Sequence, residues 1–355
     1  MPIESVSLSF LSIFTLVSFF IFLTSLNYST KTGKASILDL DFSKPQAFHT
    51  KPLPRCGGLA LIVCLVVFNI MYYLFFEKII LDYLIISCCF FLLGFLDDIK
   101  IRLAPKLRLI LMVVILLTVI NLFSLYIEKS GLAFLNLWLE NTLFKNLFVL
   151  LCFLFIVNGS NLIDGFNGLL GIHILIINLI LLYINFINGN EELSIILISQ
   201  IILFFIFFLF NFPSAKMFFG DGGSYLVGSL ISINVIKSSN LNPEISPFFF
   251  CVILFYLFYE VFFSFFRKIF QKKSPLKPDE IHLHMLIFRK LKKINMKNPN
   301  ALTGLIINLM YLSLILPVLF SLVYGQDSAL FYRYWFFGLL VIYTLFYARL
   351  YKLSK

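Results

Sequence analysis

The sequence predicts an all-α, polytopic membrane protein with about eleven transmembrane helices, folded as a single integral-membrane domain over residues 1–355. Of these residues 60% are hydrophobic and 13% charged, and the mean hydropathy is +0.97. A water-soluble domain could not bury that much apolar surface. The chain contains eleven apolar runs, and a hydrocarbon core about 30 Å thick needs roughly 20 residues of helix. Because the runs are continuously apolar and lack a period of two, helices are favoured over a barrel.

The apolar runs follow one another along the whole chain, separated by short polar segments. The fifth and eighth are the shortest. In order they cover residues 6–26, 57–76, 79–96, 107–127, 143–157, 168–187, 193–210, 222–236, 247–266, 302–324 and 331–351.

Charge predicts the orientation of the first helix. Glu4 stands at its start, whereas Lys31 and Lys34 follow it, which is the reverse of a cleavable signal peptide. A retained helix with an external N-terminus puts all but five of the 28 Lys and Arg residues in cytoplasmic loops or in a cytoplasmic C-terminal tail. Attraction to anionic lipid head groups explains the net charge of +10 without nucleic acid. The five exceptions are Lys78, Lys129, Lys145, Lys237 and Arg333.

This orientation gathers the polar clusters on one side of the membrane, in predicted active-site loops at about 27–56, 97–106, 158–167, 211–221 and 267–300. Asp97 and Asp98 end the third run, at the negative end of a helix dipole, where two carboxylates require nearby cations. The Lys and Arg residues that follow directly could supply them. Taken alone, the pair is compatible with a charge-balanced helix end or with a catalytic site.

Two glycine-rich segments could hold an anion and a cation. Residues 158–168 combine Asn, Asp and Gly, so backbone N–H groups can approach a nucleotide while side-chain oxygens suit Mg²⁺. An ordinary polar turn is the alternative. Residues 219–224 lead into the eighth run, and a glycine-rich turn there presents free N–H groups to an anion. Asp221 in that turn suits either a helix cap or a metal ligand.

Histidines and one intramembrane carboxylate complete the candidates. His282 and His284 adjoin a predicted helical arm at about 281–293. In a helix they would diverge by about 200°, so we expect one to meet substrate phosphate and do not expect a shared zinc ion; surface histidines without a role are the alternative. Glu260 lies inside a predicted span and needs a partner, for which Arg267 is a candidate.

His173 within an apolar run is interpreted as structural, and so are the six cysteines, which form no CxxC pair.

Taken in order, the polar loops resemble the polyprenyl-phosphate N-acetylhexosaminyl-1-phosphate transferases, the family that includes the phospho-MurNAc-pentapeptide translocase. The resemblance extends from His49 to about Arg289. The five motifs that carry it are HTKPLPRCGG at 49–58, GFLDDIK at 94–100 with Lys106, NGSNLIDGFNGLLG at 158–171, AKMFFGDGGSYLVG at 215–228 and SPLKPDEIHLHML at 274–286.

The resemblance implies transfer of a sugar 1-phosphate from a UDP-N-acetylhexosamine to a polyprenyl (undecaprenyl) phosphate, with release of UMP, in a bacterial inner membrane. It implies Mg²⁺, or alternatively Mn²⁺, as cofactor and suggests a homodimer. The implied catalytic residues are Asp97, Asp98, Lys106 and His282. The implied metal ligands are Asn161 and Asp221, and the implied substrate-binding residues are His49, Arg55, Asn158, Asp164, Gly165, Lys216 and His284.

The chain departs from the family pattern at two motifs. Asn167 replaces the second carboxylate of a frequent DGxDG, and Met285 follows His284 where many members have HxHH. The PRxGG form at 54–58 and the lack of a triple histidine favour the branch that primes surface polysaccharides over the peptidoglycan branch. A secondary transporter and a non-catalytic scaffold are the rival classes, although transporters place ionisable groups at the bilayer midplane in repeated halves, which this chain lacks.

Overall fold

The computed structural model describes residues 3–32, 38–39, 53–99, 101, 103–275, 279–325 and 328–354. Within these ranges the chain forms fourteen helices and one antiparallel pair of two-residue strands. The elements are α1 (Ile3–Thr32), β1 (Leu38–Asp39), β2 (Leu53–Pro54), α2 (Gly57–Phe76), α3 (Leu81–Asp98), α4 (Pro105–Leu122), α5 (Ala133–Leu139), α6 (Thr142–Ile163), α7 (Leu169–Ile187), α8 (Glu191–Asn211), α9 (Gly220–Leu241), α10 (Pro247–Ile253), α11 (Phe255–Phe270), α12 (Leu283–Lys293), α13 (Pro299–Val323) and α14 (Ala329–Ser354).

The molecule is an all-α, multi-pass membrane protein, and every predicted apolar run lies on a helix. In the described part of the chain, eight helices are long and apolar enough to cross a membrane, namely α1, α2, α4, α6, α7, α8, α13 and α14. The ninth run is bent by 74° between α10 and α11. The fifth and eighth runs, the shortest in the sequence, belong to helices of 22 residues each. The count of eleven crossings stays a prediction.

Helix α9 is the centre of the bundle, because almost all its residues are buried against α2, α3 and α6. Glycines permit this close approach. A Cβ at Gly94 of α3 would lie 2.4 Å from the Asp221 carbonyl, and one at Gly58 of α2 would lie 2.5 Å from the Gly223 backbone. Small residues let helix backbones approach closely in membrane bundles. Any side chain at these two positions would therefore force α9 away from its neighbours.

Buried amides also fix α9 within the apolar interior. Asn234 donates to Asn178 of α7 at 2.9 Å and to Gln200 of α8 at 2.7 Å, and it accepts from the Tyr83 hydroxyl of α3 at 2.8 Å. Polar groups inside a membrane bundle need such partners, since lipid offers none. These bonds tie three helices to the C-terminal half of α9.

Candidate active site

Four helix ends meet at one end of the bundle. They are the C-termini of α3 and α6 and the N-termini of α4 and α9, and they bring together Asp97 and Asp98, Arg108, Asn161, and Asp221. Each of these motifs was separate in the sequence. The close packing of α9 against α3 and α6 brings these separate motifs together in one cluster.

Asp98 binds the N-terminus of α9. Its carboxylate accepts the backbone N–H of Asp221 at 3.0 Å and that of Gly222 at 2.8 Å. Its side chain is only 5% exposed. A helix N-terminus favours negative charge, which makes this contact favourable. The expectation that the N–H groups of this turn are free to bind an external anion is therefore wrong for these two, because Asp98 occupies them.

Arg55 faces Asp98 from the segment between β2 and α2, with Nη1 at 3.3 Å from Oδ1. Backbone hydrogen bonds hold this segment: Phe218 N–H donates to the Pro54 carbonyl, and the N–H groups of Gly57 and Gly58 donate to the carbonyls of Phe218 and Phe219, all at 3.0 Å. The predicted substrate-binding Arg55 is thus fixed at the cluster.

Arg108 connects Asp97 with Asp221. Its Nη1 lies 2.5 Å from Asp97 Oδ2 and 3.9 Å from Asp221 Oδ2, and its guanidinium lies over the Tyr225 ring at 5.8 Å. Asp97 also accepts the N–H of Leu103 at 3.1 Å. The two neighbouring aspartates therefore have different partners: Asp98 binds the N-terminus of α9 and Arg55, whereas Asp97 binds Arg108 and the N–H of Leu103.

Asn161 and Asp221, the two predicted metal ligands, are in contact. The Asn161 amide donates to Asp221 Oδ1 at 3.1 Å and to the Ser224 hydroxyl at 2.9 Å. The prediction that residues 158–167 form a loop is wrong for its first half, because α6 continues to Ile163. Asn161 therefore projects from the last turn of a helix, which positions it more firmly than a loop would.

Asp164, the C-cap residue of α6, accepts the N–H of Gly220 at 3.1 Å. Burial raises its pKa above the ordinary range, and the nearby carboxylates of Asp221 and Asp98 add to the effect. Burial and the charge of Asp221 likewise raise the pKa of Asp98, at the end of α3, to about 7. These raised pKa values reflect burial and several carboxylates close together, and a bound cation would offset their negative charge.

The donor set fits a magnesium ion that is held partly by substrate. Among the described residues, no three His, Cys, Asp or Glu side chains come together in a way that could hold a metal. Mg²⁺, however, usually takes one or two protein oxygens and completes its shell with water and substrate phosphates. Asp221 is 31% exposed, against 5% for Asp98. Asp221 and Asn161 are therefore the residues accessible to an incoming ion.

His282 and His284 lie in a buried network beside Glu260. His282 Nδ1 and the N–H of Leu283 contact Glu260 Oε1 at 2.9 and 3.1 Å, and the Tyr343 hydroxyl donates to Oε2. The expected partnership between Glu260 and Arg267 is wrong, since Arg267 pairs with Asp279 instead.

Both histidines are buried, so the alternative of surface histidines without a role is also wrong. Their rings lie parallel at 5.5 Å, because His282 is the extended N-cap of α12 and the helical divergence does not apply to it. His284 contacts the Tyr256 hydroxyl at 3.1 Å, and burial lowers its pKa to about 3. The arm predicted at 281–293 begins two residues later, at Leu283.

The remaining predicted residues lie around the cluster or apart from it. Lys106 and Lys216 have exposed side chains, near the N-terminus of α4 and in the segment between α8 and α9. Asn158 donates to the Leu154 carbonyl of its own helix at 2.7 Å, and Gly165 lies in the turn after α6. His49 falls outside the described residues.

Sequence reasoning missed three members of these networks. The sequence indicates Arg108 only as a charge that balances the aspartates. Because residues two apart in a helix point about 200° apart, only one of Lys106 and Arg108 can face the aspartates. Ser224 lies in the motif at 215–228, but the sequence indicates no role for it. Tyr343 lies in the last apolar run, where no sequence signal separates it from lipid-facing tyrosines.

Comparisons with known proteins identify the family of the chain. Residues 80–239 match the model of glycosyl transferase family 4. An undecaprenyl-phosphate alpha-N-acetylglucosaminyl 1-phosphate transferase of Thermotoga maritima is 30% identical over 280 residues, covering 78% of this chain and 81% of the relative. A probable undecaprenyl-phosphate N-acetylglucosaminyl 1-phosphate transferase of Bacillus subtilis is 28% identical, covering 66% of each chain.

A phospho-N-acetylmuramoyl-pentapeptide-transferase of Dictyoglomus turgidum is 28% identical over 263 residues, which cover 72% of this chain and 83% of the relative. The extent of these matches, together with the convergence of four of the five motifs at one cluster, establishes the relationship. The chain belongs to glycosyl transferase family 4 and is a sugar-1-phosphate transferase of the polyprenyl-phosphate type.

Proposed function

We propose that this enzyme transfers N-acetylhexosamine 1-phosphate from a UDP-N-acetylhexosamine to a polyprenyl phosphate such as undecaprenyl phosphate. The observation that carries the proposal is the cluster of Asp97, Asp98, Asn161, Asp221 and Arg108 at one end of the bundle. Two phosphorylated reactants repel each other, so they can meet only where cations and oriented N–H groups offset the charge.

The reaction exchanges one phosphoanhydride for another. An oxygen of the lipid phosphate attacks the β-phosphorus of the nucleotide sugar, and the bond from that phosphorus to the bridging oxygen breaks. UMP leaves with the bridging oxygen. The bond between the sugar and its phosphate is untouched, so the anomeric configuration is retained. Because one phosphoanhydride bond replaces another, the reaction is readily reversible.

The contacts favour positioning roles for the paired aspartates. Asp98 accepts three hydrogen bonds, from the N–H groups of Asp221 and Gly222 and from Arg55, so both of its oxygens are already bound by donors of the protein. Asp97 is held by Arg108. A phosphate monoester is already largely ionised at neutral pH and does not need a general base. In this proposal Asp98 fixes the start of α9, and Asp97 fixes Arg108 beside Asp221.

Magnesium is part of the proposal, with manganese as the alternative. Asp221 and Asn161 would hold the ion, whose chemistry is to neutralise the pyrophosphate and polarise its phosphorus. Lys106, near the N-terminus of α4, has a flexible side chain suited to a phosphate contact. The roles of His282 and the predicted substrate-binding residues are likewise proposals from the family resemblance.

N-acetylglucosamine 1-phosphate is the group that we propose for transfer, in the priming step of a surface polysaccharide. The relatives of Thermotoga and Bacillus carry that activity in their names. The relative of Dictyoglomus favours a second candidate, phospho-MurNAc-pentapeptide transfer in peptidoglycan synthesis. Membranes containing the enzyme, offered each radiolabelled UDP-sugar in turn, test the choice: labelled lipid from UDP-GlcNAc alone supports the first, and from UDP-MurNAc-pentapeptide alone the second.

We further propose a bacterial inner-membrane location with the aspartates facing the cytoplasm, supported by the bias of Lys and Arg towards the loops on that side. Cysteine labelling of Lys106→Cys and Lys216→Cys, at two exposed positions, tests this: we expect both to react only from the cytoplasmic side, and labelling of either from outside would contradict the proposal. A homodimer is also proposed, and crosslinking in native membranes would test it.

A secondary transporter is disfavoured because Glu260, the carboxylate within a predicted span, bonds His282 of the segment before α12.

A further inference from the structure

Five cationic residues lie on the side of the membrane opposite the predicted cytoplasmic loops, and the structure divides them into two groups. Three are paired with carboxylates: Lys78 with Glu192 at 2.8 Å, Lys145 with Glu128 at 3.3 Å, and Lys237 with Asp82 at 2.5 Å. For the other two, Lys129 and Arg333, no carboxylate partner is found in the described part of the chain.

The hydrogen bonds of Lys129 and Arg333 go to backbone carbonyls, and the Arg333 guanidinium also lies over the Phe248 ring at 5.6 Å. Lys129 Nζ donates to the Pro243 carbonyl at 3.1 Å, and Arg333 Nη2 donates to the Gly131 carbonyl at 2.6 Å. The Nε of Arg333 is buried and has no hydrogen-bond partner among the described residues. A buried guanidinium nitrogen without an acceptor is costly, so an anionic group bound beside this guanidinium would be favourable.

The two unpaired cations line the same cavity. Its volume is about 350 Å³, and Asn136 and Ser246 contribute further polar groups to its wall. Glu244 also lines the cavity, but its carboxylate accepts a hydrogen bond at 3.2 Å from Asn188, a residue that does not line the cavity. The lining therefore carries two cations against one carboxylate.

The cavity lies about one bilayer thickness from the candidate active site. Helix α4 begins at the aspartate cluster and runs for 18 residues, about 27 Å, before the segment that contains Lys129. Helix α9 likewise begins at Gly220, next to Asp221, and ends at Leu241, shortly before Glu244. The cavity thus belongs to the opposite membrane interface and is separate from the transferase chemistry.

Helix α5, next to the cavity, has an exposed apolar side. Phe134, Leu137 and Trp138 are 54%, 67% and 55% exposed. The seven-residue helix carries no charged residue, and tryptophan is typical of the membrane interface. Such a helix is suited to lie against acyl chains, whereas the neighbouring cations suit a phosphate at the same depth.

We infer that this cavity binds the phosphate of an anionic phospholipid in the leaflet opposite the active site, with Lys129 and Arg333 contacting the head group and α5 contacting the acyl chains. The shared chemistry is a phosphate-bearing anion, and the apolar side of α5 selects the lipid over a soluble phosphate. This inference is independent of the proposed function, because it concerns binding at the other end of the bundle.

Native mass spectrometry of the full-length, delipidated protein tests the inference, with phosphatidylglycerol and phosphatidylcholine as probes. We expect the wild type to bind phosphatidylglycerol more tightly than phosphatidylcholine. Lys129→Gln should weaken that binding about fivefold, and Lys129→Gln with Arg333→Gln about thirtyfold. The matched control, Lys78→Gln with Lys145→Gln, removes the same charge from the same side and should bind within about twofold of the wild type.

Three results would overturn the inference: equal affinity for the two lipids, unchanged binding by the double variant, or displacement by inorganic phosphate as effective as by short-chain phosphatidylglycerol, which would assign the cavity to a soluble anion. Arg333→Lys keeps the charge and should retain most of the binding. If Arg333→Gln does not fold, Lys129→Gln alone decides, and unchanged binding in that variant contradicts the inference.

Discussion

The contact between α3 and α9 affects both the stability of the protein and its turnover, and replacing Asp98 by asparagine tests both effects. Each carboxylate oxygen of Asp98 accepts one backbone N–H, from Asp221 and from Gly222. The substitution keeps the shape but removes the charge and turns one acceptor into an NH₂ group. Whichever way the amide is oriented, one N–H of the helix N-terminus then faces a donor.

The magnitude follows from these contacts. An unsatisfied buried donor costs about 1–3 kcal/mol, and the lost charge at the helix N-terminus about 0.3–1 kcal/mol more. Burial and the charge of Asp221, which raise the pKa of Asp98 to about 7, offset part of this loss. We therefore expect the free energy of unfolding to fall by about 2 kcal/mol. Turnover should fall at least a hundredfold, about 2.7 kcal/mol in activation free energy, because α9 carries Asp221.

Asp97→Asn is the matched control, since Asp97 is adjacent but accepts hydrogen bonds from Arg108 and the N–H of Leu103 outside α9. It should lose turnover through the displaced Arg108 while its thermal unfolding midpoint stays close to that of the wild type. Thermal unfolding in detergent and transfer of radiolabelled sugar phosphate measure both quantities. Equal midpoints for Asp98→Asn and the wild type would refute the role of Asp98 as the partner of the α9 N-terminus.

Four further outcomes follow from the same geometry. Asp221→Ala should abolish transfer in a protein that still unfolds cooperatively, because its side chain is partly exposed; wild-type rates would remove it from the metal site. Arg108→Lys keeps the charge but loses the fork between Asp97 and Asp221, so KM for the UDP-sugar should rise about tenfold in steady-state kinetics, and an unchanged KM would contradict this. Gly94→Ala should greatly lower the yield of folded protein on size-exclusion chromatography, because its Cβ would meet the Asp221 carbonyl at 2.4 Å, whereas Gly338→Ala, with open space around it, should express normally. Chelation by EDTA should reduce transfer to background, and Mg²⁺ or Mn²⁺ should restore it; full activity in EDTA would exclude the ion.

The helices were predictable because lipid imposes a length and a hydropathy on each of them. The run at 57–76 has the bounds of α2, and Asp97 and Asp98 end α3 as expected, since apolar composition changes abruptly there. The predicted ends of helices were wrong where polar residues continue a helix that packs against other helices. Asn158 and Asn161 resemble loop residues, but α6 packs against α9 and α11 and extends to Ile163, so both lie on a helix while remaining partly exposed.

Pairings between distant residues were not predictable, because they depend on how helices rotate against each other. Glu260 was expected to contact Arg267 two turns along its own helix, yet a residue far along the chain, Tyr343, and the N-cap His282 bind it instead. Helical phase could not decide whether Lys106 or Arg108 faces the aspartates, and the structure selects Arg108. The glycines at 220–223 indicated anion binding, but Asp98 is the anion that two of the N–H groups bind.

The fate of the β-phosphorus tests the central claim most directly. Purified enzyme in vesicles containing polyprenyl phosphate and Mg²⁺ is given UDP-N-acetylglucosamine labelled with ³²P at the β-position, and the products are separated. The proposed reaction places the label in the lipid fraction together with the sugar, and the released nucleotide is unlabelled UMP. Sugar in the lipid fraction with the label retained in UDP would contradict the account, because the enzyme would then transfer the sugar without its phosphate.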